Sequence, residues 1–188
     1  MSRVMVLASM SLDGCVAGPN VSDDHPMGEG GERLHEWMFA DPVAPPDQDL
    51  LARLRDRVGG TVVGRRTFDL GLPHWADVPW PGPSFVVTRE SRPPLPQASG
   101  TFTFVPELAG AVARARAATG DRTVVLMGAE LCRRALAAGL VDELVLTLVP
   151  VTLDGGARLF DGVDGLALRP TGTTASPAVT HLHYDVVR

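Results

Sequence analysis

Short apolar runs alternate with amphipathic segments along the first 150 residues of the chain. Runs such as "VMVLAS" (4–9), "SFVV" (84–87) and "TVVLM" (123–127) have the length and composition of buried strands. The segments between them carry apolar residues at the spacing of a helix that faces a core. This alternation of strand and helix predicts an α/β fold in which helices connect parallel strands.

Two of the predicted helices lie in the first third of the chain. Asp47 is expected to cap the longer one, and Gly59 is expected to end it. A shorter amphipathic helix is expected in "GERLHEWMFA" (31–40). The apolar side chains that we expect these two helices to turn toward the core are Leu34, Trp37, Met38, Leu50, Leu51, Leu54 and Val58.

The second half of the chain determines the predicted topology. Residues 123–151 form a strand–helix–strand unit, whose right-handed crossover implies a parallel pair. Residues 167–188 combine turn residues with an alternating strand and are expected to add antiparallel strands. We therefore predict one α/β domain over residues 1–188, built as three layers, with a mixed, mostly parallel central sheet and helices on both faces.

Composition narrows the class of partner. The net charge is −5 over 188 residues, so we expect a globular domain without a nucleic-acid surface. The apolar runs are too short to span a membrane, and the N-terminus reads as a strand rather than a signal peptide, which favours the cytoplasm. Cys15 and Cys132 show no metal spacing, and His181 and His183 share a strand face without a third ligand, so no metal site is expected.

Candidate chemistry lies at the ends of three predicted strands. "GRRT" (64–67), "TR" (88–89) and "MGAE" (127–130) each follow an apolar run. If these strands are parallel neighbours, their ends meet at one edge of the sheet, where open α/β folds bind ligands. Guanidinium groups, hydroxyls and free helix N–H groups suit a phosphate, whereas the alternative is that the arginines are solvated or paired with acids such as Asp69. Neither a P-loop motif nor a GxGxxG motif after a strand occurs.

Four segments of the chain resemble the dihydrofolate-reductase-like superfamily. They are "VLASMSLDGCVAG", "VVGRRTF", "FVVTR" and "VVLMGAELCRRALAAGLVDELVLTLVPVTLDGGARLF", all within residues 4–160. The chain is most similar to the stand-alone relatives of the riboflavin-biosynthesis pyrimidine reductase, the C-terminal domain of bacterial RibD. This resemblance implies an NADPH-dependent reductase that forms a homodimer.

The resemblance also assigns cofactor contacts by position. Ser9 and Val16, on either side of the "SLDG" turn, match backbone contacts to the nicotinamide amide. The residues that would hold the phosphates and flank the adenosine are Gly64, Arg65, Arg66, Thr67, Thr88 and Arg89. The residues that would offer backbone N–H groups to the pyrophosphate are Gly128, Ala129, Glu130 and Leu131.

The resemblance specifies the substrate less closely. It implies a small heterocyclic or imine-bearing substrate, as in the reduction of 5-amino-6-(5-phosphoribosylamino)uracil, while a nucleotide-binding dimer without turnover and a true dihydrofolate reductase stay open as alternatives. Met127 and Asp154 stand where relatives tend to carry glycine. Asp13, His35 and Trp37 are the substrate-side candidates, against a turn role for Asp13 and a core role for Trp37. No side chain is an obvious proton donor, so no catalytic residue is assigned.

One feature of the folate enzymes bears on the substrate. They hold the pterin with a lone carboxylate on the first helix, and the matching helix here offers Glu32 and Glu36. Because Leu34, Trp37 and Met38 form the stripe expected to face the core, both glutamates are predicted to face solvent. We therefore expect that the substrate is not dihydrofolate.

Overall fold

The computed structural model describes residues 2–187 of the chain. These residues contain eleven strands and five α-helices. The strands are β1 (Val4–Ser11), β2 (Cys15–Ala17), β3 (Val58–Gly64), β4 (Ser84–Val87), β5 (Leu95–Pro96), β6 (Thr101–Val105), β7 (Thr123–Met127), β8 (Glu143–Val149), β9 (Ala157–Arg158), β10 (Ala167–Ala175) and β11 (Thr180–Val187). The helices are α1 (Glu36–Phe39), α2 (Pro45–Arg57), α3 (Arg65–Gly71), α4 (Leu108–Thr119) and α5 (Ala129–Ala137), and a 3-10 turn spans Gly31–Leu34.

Nine of these strands pair into one sheet in the order β10-β11-β8-β1-β7-β3-β4-β6-β5. The six strands from β8 to β6 are parallel to one another, whereas β5, β10 and β11 run antiparallel to their neighbours. The predicted fold class, a mixed and mostly parallel sheet in an α/β domain, is confirmed. β7 and β8 are parallel as predicted, but β1 lies between them, so they do not pair directly. β2 and β9 form a separate two-stranded sheet.

Helices cover both faces of the large sheet because successive strand residues point to opposite sides. On one face, Val6 of β1 belongs to a buried cluster with Ala111 of α4 and Leu131 of α5. On the other face, Met5 of β1 belongs to a cluster with Leu50 of α2. α3 adds a third cluster beside β4 and β6. Within residues 2–187, no helix is both long enough and apolar enough to cross a membrane.

The segment 31–40 is less helical than predicted. It forms the 3-10 turn followed by the single turn of α1, instead of one continuous helix. The predicted apolar stripe is nevertheless confirmed, because Leu34 and Trp37 are only 0% and 6% exposed. Side-chain burial, rather than helical regularity, therefore fixes this segment against the sheet.

Both predicted ends of α2 are wrong. The helix begins at Pro45, because proline suits the first helical position, and Asp47 therefore lies inside the first turn instead of capping it. The Asp47 carboxylate is buried, with its Oδ1 2.7 Å from His181 Nε2. At the other end the helix stops at Arg57, and Gly59 belongs to β3, where a Cβ would come within 2.6 Å of a neighbouring side chain.

Both cysteines are buried, with exposed fractions of 0% for Cys15 and 4% for Cys132. Burial raises the pKa of the Cys132 thiol to about 12, and burial together with the Asp13 carboxylate raises the pKa of Cys15. The thiolate, which is the reactive form, is therefore scarce at both positions.

We expect native protein to show no fast reaction with Ellman's reagent at pH 8, and both thiols to react after unfolding in guanidinium chloride. Rapid labelling of a thiol in the native chain would contradict this.

Candidate functional site

The ends of β7, β3 and β4 lie side by side at one edge of the sheet. These strands are adjacent and parallel, with Val63 opposite Met127 and Gly64 opposite Val87. The segments that follow the three strands therefore start at the same edge. The strand order confirms that the three strands are parallel neighbours, as the candidate site requires. It is the carboxyl edge, at which open α/β sheets bind ligands.

Gly128 joins β7 to α5 in a conformation that favours glycine. Its φ is 105°, and a Cβ there would lie 2.5 Å from Thr67 Oγ1. The first bond within α5 runs from the Cys132 N–H to the Gly128 carbonyl, 2.9 Å away, and no side chain caps the helix. This start can donate to an anion, since the N–H groups left without a helical acceptor are those of Ala129, Glu130 and Leu131.

Gly64 ends β3 beside the first turn of α5, with room for a side chain. A Cβ on Gly64 would lie 3.6 Å from the Cβ of Leu131, which is only 5% exposed. Met127, at the end of β7, is half-buried and packs against two of the apolar clusters. The Met127 side chain is therefore engaged by the core.

The first arginine after β3 is already paired with acids. Arg65 Nε lies 3.1 Å from Asp69 Oδ2, and Arg65 Nη1 lies 2.5 Å from Glu90 Oε1. Arg92 contacts the same two carboxylates, and its hydrogen bonds, chiefly that with Glu90, raise its pKa. The Glu90 N–H donates to the Thr88 hydroxyl at 3.2 Å, which holds this acid at the end of β4. The alternative of an arginine neutralised by nearby acids thus describes Arg65.

Arg66 and Arg89 remain free of carboxylates. Arg66 is exposed and donates from Nη2 to the Val21 carbonyl, 2.6 Å away, in the glycine-rich loop after β2. Arg89 is exposed, and no residue of the described chain forms an ion pair with it. Two uncompensated cations therefore border the strand ends on their solvent side.

β1 offers an open backbone edge beside these strand ends. Within the described residues it pairs with β7 only through Val4–Val6, whereas it pairs with β8 as far as Ser11. From Leu7 onward, the side of β1 that faces β7 has no strand partner, and Ser9 lies on this stretch. Ser9 is 7% exposed, and its Oγ accepts a hydrogen bond from the Trp37 indole N–H at 3.1 Å. Two of the predicted site residues, Ser9 and Trp37, are thus in direct contact.

Other predicted residues lie around the turn after β1. The Cys15 N–H donates to Ser11 Oγ at 2.9 Å and closes this turn. Val16, in β2, is half-buried against the main core cluster. Asp13 Oδ1 lies 3.3 Å from the Leu153 N–H, and hydrogen bonds, mainly from Ser11 and also from Leu153, lower the pKa of Asp13. This geometry favours the turn role for Asp13, as an ionised carboxylate.

His35 stands between the 3-10 turn and α1, next to the Ser9–Trp37 contact along the chain. Its side chain is half-buried. Burial lowers the pKa of His35 below its ordinary value, because the charged imidazolium loses hydration. The ring is therefore neutral near pH 7.

A chain of buried polar side chains, which the sequence analysis missed, lies beneath Trp37. His181 joins two groups, with Nε2 2.7 Å from Asp47 Oδ1 and Nδ1 2.9 Å from Thr147 Oγ1. None of the three residues is more than 1% exposed. The Trp37 ring packs edge-on against the His181 ring, with 5.1 Å between centroids. The two prolines before Asp47 were the available signal, because they place it inside the helix.

Asp47 is a buried carboxylate on a different helix from Glu32 and Glu36, the two acids considered from the sequence. Glu32 and Glu36 are exposed as predicted. α2, the first helix of more than one turn, nevertheless carries the buried Asp47, and His181 already engages its carboxylate. Throughout residues 2–187 no group of three or more His, Cys, Asp or Glu is placed to hold a metal ion.

The sequence matches one protein family over nearly its whole length. A family model described as the RibD C-terminal domain matches residues 2–182. The chain belongs to the RibD C-terminal domain family. The resemblance stated from the sequence motifs is therefore confirmed. Among curated proteins, no match to this sequence was found.

Solved structures share the fold of this RibD C-terminal domain. A protein of Shewanella sp. PV-4 assigned to riboflavin biosynthesis is 25% identical, with a TM-score of 0.73 and 99% of each chain covered. A Thermotoga maritima diaminohydroxyphosphoribosylaminopyrimidine deaminase/5-amino-6-(5-phosphoribosylamino)uracil reductase is 11% identical, with a TM-score of 0.66 over 99% of this chain and 57% of that one. Dihydrofolate reductase of Enterococcus faecalis, solved with NADP(H), is 15% identical, with a TM-score of 0.57 over 98% and 96%.

Gly128→Ala tests whether the RibD C-terminal domain needs glycine between β7 and α5. The new Cβ would meet Thr67 Oγ1 at 2.5 Å in a backbone with φ of 105°. We expect a loss of about 1–3 kcal/mol in the free energy of unfolding, measured in urea. Gly110→Ala is the matched control. Gly110 lies within α4, and a Cβ there would be 3.8 Å from its nearest neighbour, Val105 Cγ1. That variant is expected to gain about 0.5–1 kcal/mol. Equal stability of the two variants would contradict the strand-end geometry.

Proposed function

We propose that this chain is an NADPH-dependent reductase of a small heterocyclic or imine-bearing substrate, of the class of 5-amino-6-(5-phosphoribosylamino)uracil. Membership of the RibD C-terminal domain family supports reductase chemistry. The Thermotoga protein of the same fold is described with that uracil reductase activity, and the Enterococcus reductase was solved with NADP(H). The observation that carries the proposal is the alignment of three strand ends around Gly64.

The residues at this edge fit a dinucleotide with an extra phosphate. The first turn of α5 presents unpaired N–H groups to the pyrophosphate, and Gly128 has no side chain to obstruct it. Arg66 and Arg89 are the free cations for the adenosine 2′-phosphate, because a guanidinium group suits a phosphate dianion. The open edge of β1 at Ser9, together with Val16, supplies backbone groups for the nicotinamide amide.

The nicotinamide supplies the hydride when the cofactor is bound. The protein's part is to hold its ring along β1 and to cover it with apolar groups. Asp13 is an ionised turn carboxylate, and His35 is an uncharged imidazole because burial lowers its pKa, so neither is a ready general acid near pH 7. We therefore assign proton delivery to water. The homodimer and the cytoplasmic location stay predictions.

Cofactor selectivity is the first test of this function. Arg66→Ala is expected to weaken NADPH binding roughly 10-fold, because one charge-assisted hydrogen bond is lost, and to leave NADH binding nearly unchanged. Arg134→Ala is the matched control, since Arg134 is an exposed arginine in the last turn of α5. Isothermal titration of the unmodified protein and the two variants with both nucleotides measures the six affinities. Equal affinity of the unmodified protein for NADPH and NADH would overturn the assignment.

Glu90 offers the opposite change. Its carboxylate pairs with Arg65 and Arg92 beside the strand ends. Glu90→Gln removes this competing negative charge, so NADPH is expected to bind about 2- to 5-fold more tightly, the range of a weak exposed charge interaction. NADH, which lacks the 2′-phosphate, should respond less. A Glu90→Gln variant with weaker NADPH binding would show that the acid supports the site instead of competing with the phosphate.

We expect that dihydrofolate is not the substrate. A buried carboxylate, Asp47, is present, but it is already bonded to another residue. Asp47 is buried, and its Oδ1 is bonded to His181 at 2.7 Å, so a pterin would have to displace this partner. Purified protein with NADPH and dihydrofolate should show no oxidation above the NADPH blank, while pyrimidine substrates are screened in parallel. Turnover of dihydrofolate on the order of 10 per second would contradict the assignment. NADPH binding without turnover on any substrate would favour the non-catalytic alternative.

A further inference from the structure

A row of three polar side chains crosses the face of the sheet beneath α1 and α2. Thr147 of β8 is directly opposite Ser9 of β1 on one side and His181 of β11 on the other. Residues paired in this way point to the same face. The positions two residues away on the same strands include Val145 and Val149, which belong to the buried apolar cluster there, and also the polar residues Ser11 and His183. The row is the place on this face where polar side chains of three adjacent strands lie side by side.

Apolar side chains would fill these positions without needing hydrogen-bond partners. A buried polar group is costly unless it is bonded, and a buried ionised group is costlier still. Asp47 and His181 satisfy each other, and Thr147 satisfies the second nitrogen of the His181 ring. Replacement of such a set by apolar residues is often neutral or stabilising, so stability alone does not account for the row.

Trp37 connects His181, at one end of the row, to Ser9 on the open edge of β1. The His181 ring packs edge-on against Trp37, at an interplanar angle of 63°. The Trp37 indole N–H then donates to Ser9 Oγ at 3.1 Å. Because both rings are buried, with exposed fractions of 0% and 6%, neither can turn without disturbing the other. Asp47 thus fixes His181, His181 fixes Trp37, and Trp37 fixes Ser9.

We propose that Asp47 and His181 are positioning residues, which hold Trp37 and Ser9 in the geometry that the nicotinamide half of the cofactor requires. This inference rests on the proposed function, because Ser9 matters here as the residue on the unpaired edge of β1. The pair itself is buried and touches no cofactor. Its effect is therefore expected only for the half of NADPH that lies at β1, and not for the adenosine half at Arg66 and Arg89.

Two probes separate the halves of the cofactor. NADPH occupies both, whereas 2′,5′-ADP carries the 2′-phosphate and the adenosine but no nicotinamide. Trp37→Phe and His181→Gln are expected to weaken NADPH binding about 3- to 10-fold, the factor given by one net hydrogen bond, with 2′,5′-ADP affinity unchanged within 2-fold. The double variant is expected to bind NADPH with the same affinity as the weaker-binding of the two single variants, because both changes act on the same contact.

His183→Gln is the matched control. His183 is on the same strand and face as His181, paired with Val145 farther from the carboxyl edge. It should leave both affinities unchanged. If Trp37→Phe lowers the affinities for NADPH and 2′,5′-ADP equally, the row has only a structural role. If the losses of NADPH affinity add in the double variant, His181 does not act through Trp37. Either result overturns the inference. If the unmodified chain binds neither probe, the proposed function itself fails.

A spectroscopic readout tests the contact without any cofactor. The chain has three tryptophans, and Trp37→Phe identifies the indole N–H resonance of Trp37 in a ¹H–¹⁵N spectrum. Asp47→Asn keeps the shape of the side chain and is expected to move this resonance through His181, while His183→Gln leaves it in place. An indole resonance of Trp37 that does not respond to Asp47→Asn would show that the buried pair does not hold the ring.

Discussion

The parallel pairing of β7, β3 and β4 is the constraint on which the rest of the site depends. Their register brings Gly64 and Gly128 to one edge, where α5 starts with unpaired N–H groups. Glycine is required at the second of these positions, since its φ is 105° and its Cα lies against Thr67. The chemistry at this edge comes from main-chain groups that the fold itself places, with side chains adding charge around them.

Charge at this edge is divided between compensated and free arginines. Arg65 and Arg92 share Asp69 and Glu90, whereas Arg66 and Arg89 have no acidic partner among the described residues. Exposed ion pairs contribute only about 0–1 kcal/mol to stability. Under the proposed function their larger effect is on cofactor selectivity, because the two acids reduce the positive field and leave Arg66 and Arg89 for the 2′-phosphate.

Most of the fold, and the meeting of the three strand ends at one edge, could be predicted from the sequence, because both depend on local signals. Apolar runs ending in Gly64 and Met127 show where strands stop, and the arginines follow directly. The sequence predicts Asp47 as a helix cap, whereas its carboxylate binds His181, which is 134 positions away along the chain. No local pattern reports such a contact. The pairing of Arg65 with Asp69, four residues away, is a local signal, whereas its pairing with Glu90 is not, because Glu90 follows a different strand.

A crystal structure of the chain with NADPH tests the central claim most directly. The account predicts the pyrophosphate within hydrogen-bond distance of the N–H groups of Ala129–Leu131, and the 2′-phosphate beside Arg66 and Arg89. A depression at the amino edge of the sheet, lined by Arg3, Arg116, Arg169, Asp142 and Asp185, offers the contrasting position. Nucleotide density there, with the carboxyl edge empty, would contradict the account.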